Sequence, residues 1–241
     1  MLLVRGNNSV LVTSHGGSIL QWQYREHFIL GPTRMARVNG NIKYRGDSHW
    51  CYPNLGKVRE GSEWPQDQHG FVRRSIFNTT TSSSHFAQFE IKNTCRNEQL
   101  LVDFAVRESG VSACLTAIGH NQQVLPVLPA LHPYFAVPKG GLVVSIAGKL
   151  IRNTDLPIGE SQIIERNDKV VRVSLCGIGA VELKLPSNCT HVVVWSDNPL
   201  QYVCVEPVFG CPKTYGTEGG RTLRAGEVMQ CWVDFEFQPE I

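Results

Sequence analysis

The sequence predicts an all-β protein, a large antiparallel β-sandwich, and three observations support that prediction. Short runs rich in β-branched and aromatic residues recur along the chain, with turn-forming residues between them. No stretch of twelve or more residues carries a convincing 3.6-residue apolar period. The chain of 241 residues contains no internal repeat or flexible linker. One domain over residues 1–241 is therefore predicted, since all-β domains often reach this size undivided.

The predicted strands follow from composition and alternation. Seven short runs are β-branched or aromatic, and they cover residues 86–91, 100–106, 142–146, 170–175, 181–185, 191–195 and 202–206. The last strand, 228–237, alternates so that Met229, Cys231, Val233, Phe235 and Phe237 share one face. Such spacing is typical of antiparallel sheets that pack face to face.

Residues 44–77 do not follow this rhythm of strand and turn. They are rich in Trp, Tyr, His, Arg, Gly and Pro. A long irregular connection inside a compact domain is usually functional or disordered, and this one has too many aromatic residues for disorder. We therefore expect it to pack onto the fold and line a cleft.

Charge and cysteine usage exclude several classes of function. A formal net charge of +2 is too small to indicate a nucleic-acid or membrane-surface partner. No export signal or transmembrane stretch is visible, which predicts a cytoplasmic protein. The eight scattered cysteines form no Cys-x-x-Cys pair, so reduced thiols are expected. His49 and Cys51 could ligate a metal, but one such pair is a weak signal and no metal site is assigned.

Two titratable residues stand in apolar surroundings, His132 between Leu131 and Pro133, and Glu206 at the end of an apolar strand. Taken singly, His132 reads as a buried, hydrogen-bonded histidine and Glu206 as a strand-end carboxylate that reaches solvent. Taken together they form an acid–base pair if the fold brings them into contact. Burial would raise the pKa of Glu206 and hold His132 near neutrality, a range useful for proton transfer.

Six segments in order resemble the aldose 1-epimerase (galactose mutarotase-like) family, and most closely its hexose-6-phosphate epimerase branch. They read RGDSHWCYPNLG, QHGFVRRSIF, LHPYFAV, VVVWSDNP, YVCVEP and LRAGE, within residues 44–237. The resemblance implies a β-sandwich of the galactose mutarotase-like type, with a sugar cleft across one sheet. It implies interconversion of the α and β anomers of a hexose or hexose 6-phosphate. Glu206 is then the base and His132 the acid, without metal or organic cofactor.

The resemblance also implies five substrate-binding residues, namely His69, Arg45, Arg73, Gln68 and Tyr134. A planar guanidinium suits phosphate because it donates two parallel hydrogen bonds and stays charged. The simpler readings are a solvated surface arginine for each of the two, and a histidine satisfied within its loop for His69. The register of HGFVRR leaves Arg74 as the alternative to Arg73. Asp67 is a further candidate for sugar hydroxyls, and stacking on the sugar is open to Trp50, Trp64 and Trp195.

The first segment departs from the family pattern. Asp47 replaces a second glycine that would let the backbone approach a ligand closely, and His49 and Trp50 are bulkier than the residues usual there. These changes question a phosphate contact at Arg45. The family's middle acidic residue has no secure match, and Asn153 and Asp155 are the two candidates.

Two rival functions remain at the level of sequence. One is a binding module without catalysis on the same sandwich. The other is a glycoside hydrolase or polysaccharide lyase, which is disfavoured because a typical hydrolase needs two carboxylates and a lyase would normally be exported. The expected partner is a small-molecule sugar or sugar phosphate, bound by a monomer or homodimer.

Overall fold

The computed structural model describes residues 1–38, 41–57, 68–167 and 170–240, and nearly all of its regular structure is β-strand. In chain order the strands are β1 (Leu2–Arg5), β2 (Asn8–Thr13), β3 (Ser18–Tyr24), β4 (His27–Leu30), β5 (Arg34–Val38), β6 (Asn41–Arg45), β7 (His49–Cys51), β8 (Asn78–Ser82), β9 (Phe86–Asn93), β10 (Glu98–Arg107), β11 (Gly110–Gly119), β12 (Leu125–Pro126), β13 (Ala130–His132), β14 (Tyr134–Ala136), β15 (Leu142–Ile146), β16 (Lys149–Arg152), β17 (Gln162–Glu165), β18 (Val170–Leu175), β19 (Gly179–Lys184), β20 (His191–Trp195), β21 (Tyr202–Val208), β22 (Thr222–Leu223) and β23 (Val228–Pro239). Short 3₁₀ turns lie at Val72–Arg74, Asn153–Asp155 and Pro212–Thr214.

The described strands form two large antiparallel sheets, which confirms the predicted fold class. The ten-stranded sheet has the order β1-β2-β3-β4-β14-β21-β13-β7, and β17 and β20 join it on the other side of β21. The nine-stranded sheet has the order β16-β15-β18-β19-β23-β11-β10-β9-β8. Two small hairpins, β5-β6 and β12-β22, stand apart from both sheets.

The two sheets pack face to face around one large hydrophobic cluster. Trp22 of the ten-stranded sheet meets Phe235 and Phe237 of the other edge-on, with ring centroids 6.2 and 6.3 Å apart. Phe135 also contacts Phe235 across the interface. The edge-to-face contacts of Trp22 are an arrangement that aromatic rings favour in a close-packed interior.

All eight predicted strands are present within a few residues of the expected bounds. The buried face of β23 is the predicted one, and Met229, Cys231, Val233, Phe235 and Phe237 all lie in the core. The strands of residues 2–30 and the long strand β11 were not predicted from the sequence. Within the described residues no helix has the length and apolar character to cross a bilayer. The prediction of a single domain stays a prediction.

Residues 44–77 are not one irregular connection, which corrects the expectation from sequence. β6 ends inside this segment, β7 joins the ten-stranded sheet, and Val72–Arg74 forms a 3₁₀ turn. The segment does pack onto the fold, since Trp50 and Tyr52 are fully buried. Trp64 and Asp67 lie outside the described residues.

β13 and β14 are two pieces of one strand interrupted at Pro133. β13 pairs with β21 at Ala130 and Val208, and β14 pairs with it at Tyr134 and Cys204. The register is the same on both sides of the proline, which has no N–H to contribute to the ladder. This shared register positions the candidate site.

Candidate active site

The structure brings His132 and Glu206 together. The register that continues across Pro133 puts His132 directly opposite Glu206 on β21. Side chains of opposite residues on antiparallel strands lie close enough to interact. His132 Nε2 lies 3.2 Å from Glu206 Oε1, and both side chains are almost completely buried.

Burial shifts both groups toward their neutral forms. Desolvation raises the pKa of Glu206 from 4.5 to about 8. Desolvation, together with the nearby His49 and His69, lowers the pKa of His132 well below 6.5. Between these two pKa values the pair holds one proton. That is the condition under which two neighbouring groups can serve as an acid and a base in one reaction.

Aromatic rings hold the imidazole of His132 on both sides. His49 stacks on it with ring centroids 5.0 Å apart, and Tyr134 stacks on it at 4.9 Å. Trp195 meets the ring edge-on at 6.0 Å. Because His49 of β7 is the cross-strand partner of His132, the row His49–His132–Glu206 runs across three adjacent strands.

His69 lies next to the pair because the backbone at Gly70 packs closely against that of Tyr52. Gly70 has a φ of 72° and bridges to Tyr52, and a Cβ at Gly70 would collide with the carbonyl oxygen of Tyr52. Only glycine therefore fits there. The resulting turn sets the ring of His69 edge-on to His132, with centroids 5.3 Å apart.

The hydrogen bonds of His69 define its tautomer. The N–H of Gly56 donates to Nδ1 over 3.1 Å, so a neutral His69 carries its proton on Nε2. Burial, with the neighbouring His49 and Arg73, lowers the pKa of His69 to about 3. His69 is thus a neutral hydrogen-bond donor at Nε2.

His49 is a site residue that the sequence suggested only as a weak metal ligand and as a departure from the family pattern. Its Nδ1 lies 3.0 Å from the carbonyl oxygen of Asp47, to which it donates, so the lone pair is on Nε2. That Nε2 is buried and has no hydrogen-bond partner among the described residues. His49 is visible in the stretch RGDSHW, but no feature of the local sequence indicates that it contacts His132.

Arg45 is held by a carboxylate that sequence reasoning did not single out. Its Nε and Nη2 donate to Asp197 Oδ2 over 3.0 and 2.7 Å, and its guanidinium lies over the ring of Trp195. Asp197 is the acidic residue of the segment VVVWSDNP, and this was the sequence feature by which it could have been found.

The two candidates for the middle acidic residue are engaged elsewhere. Asn153 accepts a hydrogen bond from the N–H of Leu142 and donates to the carbonyl of Pro199. Asp155 is largely exposed, with its carboxylate 3.9 Å from Arg152. Asp197 is therefore the carboxylate that the structure offers beside Arg45.

Of the two adjacent arginines, Arg73 is the one that influences the site. It is half-buried, and its charge contributes to the lowered pKa of both His49 and His69. Arg74 is exposed. Gln68 is also exposed, with its amide nitrogen 3.4 Å from His69 Nε2.

A pocket lies on the other side of Tyr134 from the pair. Its lining includes Arg45, Tyr134, Tyr202, Asn198 and Gln201. Tyr134 also stacks on His132, so the pocket and the acid–base pair share a wall.

The fold is the same as that of several solved structures. A galactose mutarotase-like protein from Lactobacillus casei superposes with a TM-score of 0.82 at 16% identity, covering 99% of each chain. The chain has the galactose mutarotase-like fold. A galactose mutarotase related enzyme from Lactobacillus acidophilus gives 0.80 at 15% identity, covering 99% of this chain and 97% of that one. The galactose 1-epimerase of Lactobacillus acidophilus gives 0.69 at 12% identity, covering 99% and 93%.

No protein-family model matches the sequence, and no curated protein matches it significantly. The likeness is therefore one of structure, and it confirms the resemblance seen in the six segments at the level of the fold. Because one fold hosts many functions, the activity has to be argued from the residues of the site.

Proposed function

We propose that the protein is an aldose 1-epimerase that interconverts the α and β anomers of a hexose. The observation that carries this proposal is the buried His132–Glu206 pair, which shares one proton at 3.2 Å next to a pocket lined by Arg45 and Tyr134. Anomer interconversion needs one proton removed and one donated in each direction. A paired acid and base supply both transfers.

The reaction follows from this pairing. Glu206 removes the proton from the anomeric hydroxyl while His132 protonates the ring oxygen, so the C1–O5 bond breaks and an aldehyde forms. The aldehyde rotates about the C1–C2 bond, and reversal of both transfers closes the ring to either anomer. Before a sugar binds, the raised pKa of Glu206 keeps the shared proton on its carboxyl. Transfer of that proton across 3.2 Å to His132 gives the carboxylate and imidazolium that the reaction requires.

The surrounding residues suit a neutral sugar. His69 offers an N–H donor at Nε2, and His49 offers a buried acceptor. The Arg45–Asp197 pair offers both donors and acceptors, which matches the mixed hydrogen-bonding character of sugar hydroxyls. A guanidinium already neutralised by a carboxylate is less suited to a phosphate dianion. An unphosphorylated hexose is therefore the proposed substrate.

Exchange NMR on anomeric protons tests the proposal. Glucose, galactose and glucose 6-phosphate are measured with the wild-type protein, because uncatalysed exchange is slow enough to serve as the baseline. We expect faster α/β exchange for a neutral hexose, and loss of that acceleration in Glu206→Gln. Sugar line broadening without faster exchange for any aldose would instead indicate a binding module, and the proposal would be wrong.

A further inference from the structure

A third ionisable side chain lies next to the His132–Glu206 pair and has no part in the proposed reaction. Cys204 precedes Glu206 by two residues on β21, so both side chains point to the same face of the sheet. The Sγ of Cys204, a ring nitrogen of His132 and a carboxylate oxygen of Glu206 all lie within 4.8 Å of one another. All three residues are buried.

These three atoms are a typical ligand set for zinc. Zn²⁺ accepts thiolate sulfur at about 2.3 Å and imidazole nitrogen or carboxylate oxygen at about 2.0–2.2 Å, usually in a tetrahedron. The pair of His132 and Glu206 is already 3.2 Å apart. Cys204 has to approach the other two ligands by about an ångström at most to complete three corners of a tetrahedron.

We propose that Cys204, His132 and Glu206 form a binding site for a thiophilic divalent metal ion such as Zn²⁺. The ion is an inhibitor of the protein and not a cofactor, because it occupies both members of the acid–base pair. The fourth corner of the tetrahedron is open to water, as in zinc sites with three protein ligands.

The charges of this site balance. The thiol of Cys204 and the carboxyl of Glu206 each release one proton to solvent as the metal–sulfur and metal–oxygen bonds form. The thiolate and the carboxylate then neutralise the two charges of the ion, and His132 binds as neutral imidazole. A thiolate in the set discriminates against Mg²⁺ and Ca²⁺, which prefer oxygen ligands.

A second observation supports a ligand at this place. The Nε2 of His49 is buried with no hydrogen-bond partner among the described residues, and its ring stacks on that of His132. A buried acceptor left without a partner costs free energy in the folded protein. A donor that arrives with the ligand, such as the O–H of a metal-bound water, would remove that cost.

Cobalt spectroscopy tests the site without relying on the proposed enzymatic activity. Cys95 and Cys176 are exposed, so Cys95→Ser/Cys176→Ser is used as the background in which Co²⁺ is titrated. We expect the visible bands of tetrahedral Co²⁺ together with a thiolate charge-transfer band in the near ultraviolet. Cys204→Ser in that background should lose the charge-transfer band and weaken Co²⁺ binding by about tenfold or more.

Cys51→Ser is the matched control, because Cys51 is also buried and its Sγ lies 3.4 Å from His69 Nδ1. We expect it to keep the charge-transfer band. Loss of the band in Cys51→Ser but not in Cys204→Ser would overturn the proposal, as would absence of tetrahedral Co²⁺ bands in the background protein.

X-ray absorption on the zinc-loaded wild-type protein provides a test that needs no variant. One sulfur neighbour with nitrogen or oxygen neighbours is expected, and a shell of nitrogen and oxygen alone would contradict the site.

The inhibitory consequence rests on the proposed function and is measured separately. Zn²⁺ should suppress anomer exchange in the wild-type protein. For Cys204→Ser, we compare the exchange rate with Zn²⁺ to the rate of the same variant without metal. The Zn²⁺ concentration that halves that rate should be about tenfold or more higher than for the wild-type protein. If the protein binds the metal but shows no exchange activity, the proposed metal site stands and only the proposed epimerase activity is refuted. Full exchange activity in zinc-saturated protein would refute the inhibition.

Discussion

Two buried glutamates of this protein have opposite surroundings. Glu98 is 2% exposed and accepts hydrogen bonds from Tyr52 Oη at 2.7 Å and Arg96 Nε at 2.8 Å, with Asn93 at 3.5 Å. Glu206 is 3% exposed and faces only the imidazole of His132 at 3.2 Å among the contacts described.

The pKa of each carboxyl reflects this contrast. Desolvation raises the pKa of Glu98, but Arg96 and Tyr52 oppose that rise. Desolvation raises the pKa of Glu206 to about 8 with no opposing group. A carboxylate that holds the fold together is surrounded by donors, whereas one suited to proton transfer keeps a single titratable partner.

The largest expected effect is a difference in activity between variants of the two glutamates. Glu206→Gln should lower the rate of anomer exchange by about 10²–10⁴-fold, since the amide has the shape of the carboxyl but cannot take the proton. Glu98→Gln should leave the turnover of the folded protein within a few-fold of wild type. Exchange NMR with circular dichroism as the folding control makes the comparison. Equal losses in both variants would remove the distinction.

The next largest effect is a difference in the free energy of unfolding between variants at the two glutamates. Arg96→Met leaves Glu98 buried without its cationic partner, and removing one member of a buried ion pair costs about 3–5 kcal/mol. Urea unfolding at pH 7 should show that loss for Arg96→Met, whereas Glu206→Gln should be at least as stable as wild type. A destabilised Glu206→Gln beside an unaffected Arg96→Met would reverse the assignment of the two sites.

The pH dependence of stability sharpens the comparison further. The folded pKa of Glu206 lies above its ordinary value of 4.5, so the contribution of its neutral form is complete below pH 4.5. That contribution is lost as pH rises toward 8. Each unit of pKa difference corresponds to about 1.4 kcal/mol, so the wild-type protein should lose up to about 5 kcal/mol relative to Glu206→Gln over this range.

Thermal unfolding of both proteins from pH 4.5 to 9 measures this difference. The exposed Glu160 provides a control, and Glu160→Gln should follow the wild-type curve. A constant difference between wild type and Glu206→Gln across the range would contradict the raised pKa.

The smallest expected effect concerns the rim of the pocket. Asp197→Asn removes the charge that neutralises Arg45, so KM for a neutral hexose should rise by about tenfold, equivalent to about 1.4 kcal/mol. The rate with glucose 6-phosphate relative to glucose should increase, because the freed guanidinium then favours phosphate. Asp155→Asn is the matched control at an exposed carboxylate, and it should change neither quantity. An unchanged phosphate preference in Asp197→Asn would mean that Arg45 does not set it.

The sequence by itself determined the class of fold and the two central residues. Alternation predicted the strands because side chains of a strand point alternately to opposite faces, a property of the local chain. His132 and Glu206 stood out because titratable groups are uncommon in apolar runs. The sequence also carried the six segments whose resemblance implied the fold that the solved structures share.

Only the tertiary structure decided which residues meet. The pairing register of β21 with β13 and β14 puts His132 opposite Glu206, and the pairing of β7 adds His49 to the same row. Register depends on contacts between segments far apart in the chain, so local alternation cannot reveal it. For the same reason the sequence could not show that Glu98 is buried among donors. Each lies on a β-strand, and only the folded chain decides which carboxylate receives several donors and which receives a single imidazole.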